Sequence, residues 1–380
     1  MAYISNIDTL ELTFDIFDYD QCMRYWLPIL ETAKSKASNY AHDYISEKVF
    51  VKIGNVDYEV LPNGAKGYAY ILHNDQYQIK LSRFRSKTPH FHPIKVTCKA
   101  MVLWEKGYYV YQDISNFIND NIGLIKENQL SRVDMALHID NLYLTIVDWD
   151  SFIGRFKKDQ AIRYERKLET FYFGSRKTQS GLCRIYDKTK KVVTHMESWW
   201  FHSLWIENGL NPDHVWNVEF EMKRKFLKER NIHTYQDLYD NINGLWQYLT
   251  HEWLTYRIPN HDDDNHSRWK LQPIWLEIQK GYDNYEYKGK VNRSVQLLKD
   301  TSKYTAHLTG YMTSICALID HSELDDAIHY VKSLITAYLK SKDTDFKEAI
   351  LEKQQYFEKT GLDIASLMAK LSYEKEFKKL

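Results

Sequence analysis

Residues 131–140, SRVDMALHID, alternate with a period of two. Val133, Met135, Leu137 and Ile139 fall on one face of an extended chain, and Arg132, Asp134, Ala136, His138 and Asp140 on the other. That pattern predicts a β-strand with one face in a core and the opposite face free for water or a ligand. VWNVEFEMKRKF (215–226) repeats it, with Val218, Phe220 and Met222 on one side and Glu219 and Glu221 on the other. If the two strands are neighbours in a sheet, carboxylates from both can meet a divalent cation, Mg²⁺ or Mn²⁺, with an imidazole tolerated by Mn²⁺. For either strand taken alone, a solvated polar face is the plainer reading.

The rest of the first two-thirds mixes strand and helix signals. LELTFDIFD (10–18) alternates like a strand, and 20–36 and 113–125 have helical spacing. The stretches YEVLPNG, GYAYILHNDQYQIKLSR and HPIKVTCKAMVLWEKGYYVYQ are β-rich, with NG and ND turn signals between them. Residues 147–160 look helical, after which ERKLETFYFGS and GLCRIYDKT form a hairpin around SRKTQSG. Beyond about residue 230 the periodicity becomes that of helices, for example in ELDDAIHYVKSLITAYLKS and TDFKEAILEKQQYFEKTG. The expected architecture is α+β: an antiparallel-sheet catalytic domain over 1–230, then a mostly helical domain over 231–380.

No apolar run approaches the roughly 20 residues that cross a bilayer. The acidic, alternating N-terminal stretch lacks the basic start and apolar core of a secretion signal. The four cysteines show no CxxC spacing, so neither a zinc site nor a disulfide framework is expected, and a reduced, cytoplasmic location is. Formal net charge is zero, but its distribution is uneven. From Arg155 to Lys191 the cations include Arg163, Arg166, Arg176, Lys177, Arg184, Lys188, Lys190 and Lys191, against only Asp159, Glu165, Glu169 and Asp187. Such a stretch can supply phosphate contacts within a neutral protein; a solvated charged face is the bland alternative.

Within that stretch GLCRIYDK, continued as a strand, puts Arg184, Tyr186 and Lys188 on one face. A phenol is mostly protonated at neutral pH, and flanking cations favour the phenolate while holding a phosphodiester close. A metal on the phosphate would stabilise the developing charge, and tyrosine attack would give a covalent phosphotyrosine link. In a chain with 29 tyrosines, a surface aromatic is the default reading of any one of them.

Three blocks tip that balance. SRVDMALHID, FYFGSRKTQSGLCRIYDK and VWNVEFEMKRKFLKE resemble, in order and spacing, the replication initiation factor family of rolling-circle plasmids and integrative conjugative elements. Filamentous-phage gene II replication proteins are a more distant likeness. HFHPIKVTCKAMVLWEKG resembles a preceding block, so the resemblance covers about residues 65–230. It implies an origin-nicking DNA strand transferase, a replication initiator or relaxase, that leaves a tyrosine on the 5′-phosphate and frees a 3′-hydroxyl. Carried over by position, Tyr186 is the nucleophile, with Arg184 and Lys188 beside it. Asp134 and Glu219 are the metal ligands, with His138 and Glu221 as helpers. Arg176, Lys177, Arg184, Lys188 and Lys190 contact phosphate. Asn217 departs from the pattern, standing where the family's second strand usually has Arg. Origin DNA is the implied partner, with a host helicase and a second copy of the chain as further ones and no membrane.

Other features weigh less. His90-Phe91-His92 reads like the metal motif of another rolling-circle group, but flanking Pro89 and Pro93 fit a central strand poorly. His261, Asp262, Asp263, Asp264 and His266 read as a solvated acidic loop, and Trp199, Trp200 and Trp205 as a core or inter-domain contact. Tyr172 is the second choice of nucleophile. The rival readings are a nuclease using water, a DNA-binding module that does not cut, and a structural or RNA-binding protein.

Overall fold

The alternating strands pair as their patterning requires. The computed structural model describes residues 2–43, 46–86, 88, 91–176, 181–194, 198–289, 291, 301–319 and 323–359. Its strands are β1 (Tyr3–Ile16), β2 (Phe50–Ile53), β3 (Val56–Val60), β4 (Tyr70–His73), β5 (Tyr77–Leu81) and β6 (Ile94–Cys98). They continue with β7 (Ile125–Ile139), β8 (Phe152–Gly154), β9 (Asp159–Tyr164), β10 (Lys167–Gly174), β11 (Gly181–Asp187), β12 (Trp216–Lys223) and β13 (Leu254–Tyr256). Eleven of them form one sheet in the order β2-β3-β4-β5-β6-β1-β7-β12-β11-β10-β9, and β13 pairs with β8 separately. Every neighbouring pair is antiparallel. With helices packed on the sheet and a helical C-terminal region, the chain is α+β.

The two long strands, β1 and β7, lie side by side at the centre. The helix Tyr19–His42 buries Tyr19, Met23, Trp26, Leu30, Ala33 and Ala37. Their spacing of three and four residues makes one stripe that faces the core. The apolar face of β7 and β12 is covered by the chain after residue 235. Trp246 and Trp253 meet Phe220 edge-on at 5.4 and 5.9 Å. Trp246 also packs on Tyr282, whose hydroxyl donates to the carbonyl of Ala136 at 3.1 Å. Gly281 lies so close to the strand that a Cβ there would stand 2.3 Å from Leu137 Cδ1 and would force that side chain to shift. Burial of this kind contributes roughly 1.5–3 kcal/mol per large apolar side chain.

That cover moves the expected domain boundary. The first unit runs from Met1 to Asn292 and the second from Arg293 to Leu380. The helices Tyr235–Asp240, Ile242–Tyr248 and Pro273–Gln279 therefore belong with the sheet, not with a C-terminal domain beginning at 231. The physical reason is that β7, β11 and β12 would otherwise expose an apolar face. The second unit contains the helices Thr301–Ile319, Leu324–Ser341 and Phe346–Lys359. Residues 147–160, expected to be helical, instead make one short 3-10 turn, Ile146–Ser151, followed by β8 and the start of β9. A capping box joins Thr145 and Asp148 at that turn, but the chain leaves it at once to pair with β13.

Candidate active site

Register brings the three sequence blocks together. β12 lies between β7 and β11. Across β7 and β12, Glu221 stands opposite Asp134, Glu219 opposite Ala136 and Asn217 opposite His138. Across β12 and β11, Arg184 stands opposite Glu219 and Tyr186 opposite Asn217. Tyr172 of β10 lies opposite Arg184. Since alternate residues share a face, Asp134, Glu219, Glu221, Arg184 and Tyr186 form one polar surface on the sheet.

Tyr186 is at its centre, with 5% of its surface exposed. Its hydroxyl donates to Glu219 Oε2 at 3.1 Å. The phenol oxygen accepts from Asn217 Nδ2 at 2.9 Å and lies 3.5 Å from both Lys188 Nζ and Lys191 Nζ. Asn217 Nδ2 also reaches Glu219 Oε2 at 3.2 Å. The residue that departs from the family pattern thus holds the phenol and its acceptor together. Burial, then the adjacent Glu219 carboxylate, pushes the phenol well above its usual value, against the pull of Arg184 and Asn217. The flanking cations do not make a resting phenolate, contrary to the expectation from sequence: desolvation of a buried anion outweighs them. Of the groups around the phenol, Glu219 is the one that accepts its hydrogen bond.

The carboxylates are held by guanidinium groups. Arg132 grips Asp134 with two bonds, at 2.7 and 2.5 Å, and reaches Glu221 at 3.1 Å. Arg176 donates to Glu221 Oε2 at 2.9 Å through Nε. Arg184 Nη2 pairs with Glu219 and lies 3.4 Å from Asp134 Oδ2. Burial pushes the Asp134 carboxyl up to about 7 despite Arg132, whereas the arginines around Glu221 outweigh its burial and lower it. Lys188 is buried between Asp8, at 3.6 Å, and the ring of Phe201, at 4.2 Å. Asp8 in turn accepts from the Trp104 indole at 3.0 Å.

This donor set does not fit a divalent cation as arranged. A metal bridging Asp134 and Glu219 would have to displace the Arg184 guanidinium that already bridges them. Among the described residues no three His, Cys, Asp or Glu side chains are grouped to hold one. His138 is also placed otherwise. Its Nδ1 accepts from the Trp205 indole at 3.0 Å, and its ring stacks on Trp104 at 4.8 Å. With Nδ1 accepting, the neutral imidazole carries its proton on Nε2, which then has no lone pair for a metal. Burial and the charge of Lys188 hold this histidine well below its usual value.

The polar surface opens to solvent through a cleft of about 230 Å³, lined by Glu169, Thr170, Tyr172, Arg184, Tyr186, Asp187, Lys191 and Thr194. Arg176 is exposed beside Glu221. Lys190 stands apart from the phenol, pairing with Glu169 at 3.1 Å and lying over the Tyr164 ring at 4.1 Å. Lys177 and His90 lie outside the described residues. His92 meets Thr13 at 3.1 Å and Glu127 at 3.3 Å and shares no hydrogen bond with the Tyr186 group. The 261–266 loop lines a separate cavity with Trp149 and Trp269. Trp205 is fully buried, as a core residue would be. Three contributors went unread in the sequence: Asp8, Trp104 and the phenol contact of Lys191.

Neither family models nor curated proteins match the chain. Among solved structures it is similar to the rolling circle replication initiator protein from Geobacillus stearothermophilus. Identity is 16% and the TM-score 0.43, over 77% of this chain and 100% of that one. At that TM-score the two folds correspond only in part. Among the described residues no helix is long and apolar enough to cross a membrane.

Proposed function

We propose that the chain is an origin-nicking DNA strand transferase, a rolling-circle replication initiator or relaxase, with Tyr186 as nucleophile. The observation that carries this reading is the phenol itself: hydrogen-bonded to a carboxylate, flanked by two ammonium groups, and at the wall of an open cleft. A tyrosine kept only for packing has no need of that surround.

In the proposed reaction a single strand lies in the cleft with its scissile phosphate against Arg184 and Lys191. Asn217 fixes the phenol oxygen, and Glu219 takes its proton as the oxygen attacks phosphorus. A bond forms between the Tyr186 oxygen and phosphorus, and the bond from phosphorus to the 3′-oxygen breaks. The 5′-phosphate stays on the protein, conserving the bond energy for a later rejoining. Arg184 and Lys188 offset charge that builds up on the phosphoryl oxygens. No step is assigned to Mg²⁺ or Mn²⁺, because the carboxylates that would hold one are engaged by arginines. Origin DNA is the proposed substrate. A host helicase that unwinds from the nick, and a second copy of the chain, are the proposed partners.

The test uses supercoiled DNA carrying the chain's own gene and flanks, incubated with the protein in Mn²⁺, in Mg²⁺ and in chelator. Products are separated in denaturing detergent. The expected product is a nicked circle with protein attached. Nicking without attached protein would mean that water is the nucleophile. DNA bound specifically but left intact would mean a binding module.

A further inference from the structure

Lys191 is set differently from the other ammonium at the phenol. Lys188 is buried, and its charge is met by Asp8 and the Phe201 ring. Lys191 sits on the helix Lys188–Thr194 that follows β11, and it lines the open cleft with Arg184, Tyr172 and Thr194. Its Nζ is 3.5 Å from the Tyr186 oxygen and 4.8 Å from the ring centroid. Among the described residues no carboxylate lies within ion-pair distance of it.

The nicking reaction proposed above has an unassigned proton. The phenol gives its proton to Glu219, on the sheet side, while the departing 3′-oxygen must gain one on the solvent side. In an in-line displacement the attacking and departing oxygens lie on opposite sides of one phosphorus. An ammonium on a flexible four-carbon stem that touches the first can extend along the cleft to the second.

We propose that Lys191 is the general acid of strand cleavage and, in the reverse direction, the general base of rejoining. In cleavage its N–H proton passes to the 3′-oxygen as the bond from phosphorus breaks, leaving a neutral amine. In rejoining that amine takes the proton of the incoming 3′-hydroxyl as its oxygen attacks the phosphotyrosine, and Glu219 returns its own proton to the phenol. The groups facing Lys191 are Lys188 on its own helix, Arg184 and Tyr186 of β11, Glu219 of β12 and Asp8 of β1. Burial and the charge of Lys188 lower its hold on the proton, which eases the donation in cleavage.

The inference rests on the nicking reading, and its test separates the two. An oligonucleotide spanning the mapped nick is made in two forms, one with the natural 3′-oxygen link and one with sulfur in that bridging position. A thiolate departs without help from an acid. Wild type, Lys191→Met and Lys191→Arg are compared in single-turnover adduct formation. The expected result is a loss of about 10²–10⁴-fold in both variants on the oxygen link, with near-wild-type rates on the sulfur link. Arginine should not rescue, since its guanidinium keeps its proton. Equal losses on both links would overturn the proposal and make Lys191 a structural residue. Rescue by arginine would overturn it in favour of a phosphate clamp. Absence of any adduct with wild-type protein would instead refute the nicking reading, and this inference with it.

Discussion

The two faces of β7 and β12 are equally buried by opposite means. On one, Val133, Leu137, Val218 and Met222 are each 0% exposed, in the apolar cluster that also holds Phe220, Trp246 and Trp253; on the other, Asp134, Glu219 and Glu221 are 0–2% exposed among arginines. The first face accounts for stability in the ordinary way. The second does not, because taking charges out of water costs several kcal/mol per ion, and replacing such groups by apolar ones is often neutral or stabilising. The polar face is therefore the one to which the proposed chemistry is assigned.

The largest effects should separate the faces. Phe220→Ala removes a ring packed on Trp246 and Trp253, and should cost about 3–5 kcal/mol in urea unfolding with nicking intact below the new transition. Glu219→Gln keeps the shape of the polar face but removes the proton acceptor. It should slow adduct formation by about 10²–10⁴-fold and shift the unfolding midpoint less than Phe220→Ala. If both variants lose stability alike and activity alike, the distinction between the faces collapses.

A smaller effect concerns pH. Burial keeps Asp134 protonated up to about 7, whereas in an unfolded chain it ionises near about 4. The folded state therefore holds an extra proton across that window, and stability falls as pH rises through it. Asp134→Asn cannot ionise, so the gap in urea midpoint between variant and wild type should grow in favour of the variant from pH 4 to pH 8. A gap that is constant with pH would place an ordinary ionised carboxylate there. The smallest effect belongs to the rim. Arg176→Ala should weaken DNA binding without abolishing nicking and reduce the slope of log affinity against log salt by about 1. An unchanged slope would remove Arg176 from the phosphate contacts.

The central face was legible because its residues obey strand alternation. SRVDMALHID, the hairpin and VWNVEFEMK each put their polar residues on one side, and pairing of adjacent strands did the rest. What escaped lies where that rule fails. Asp8 falls at a register shift between Ile7 and Thr9 in β1, so alternation does not aim it. Lys191 reaches the phenol from a helix, beyond the strand's last residue. Trp104 and Trp205, which occupy His138, come from distant helices. The boundary at 230 was misplaced because periodicity shows that 235–279 has helices but not which surface they cover. The charge state of Tyr186 depended on burial, which counting nearby lysines cannot supply.

The point of DNA attachment identifies the nucleophile most directly. Protein–DNA adducts formed on the nicked origin are digested, and the linked peptide is identified by mass spectrometry for wild type, Tyr186→Phe and Tyr172→Phe. Attachment at Tyr186 in wild type and in Tyr172→Phe, with none in Tyr186→Phe, is the predicted result. An adduct that persists in Tyr186→Phe, at Tyr172 or elsewhere, would contradict the assignment of the buried phenol as nucleophile.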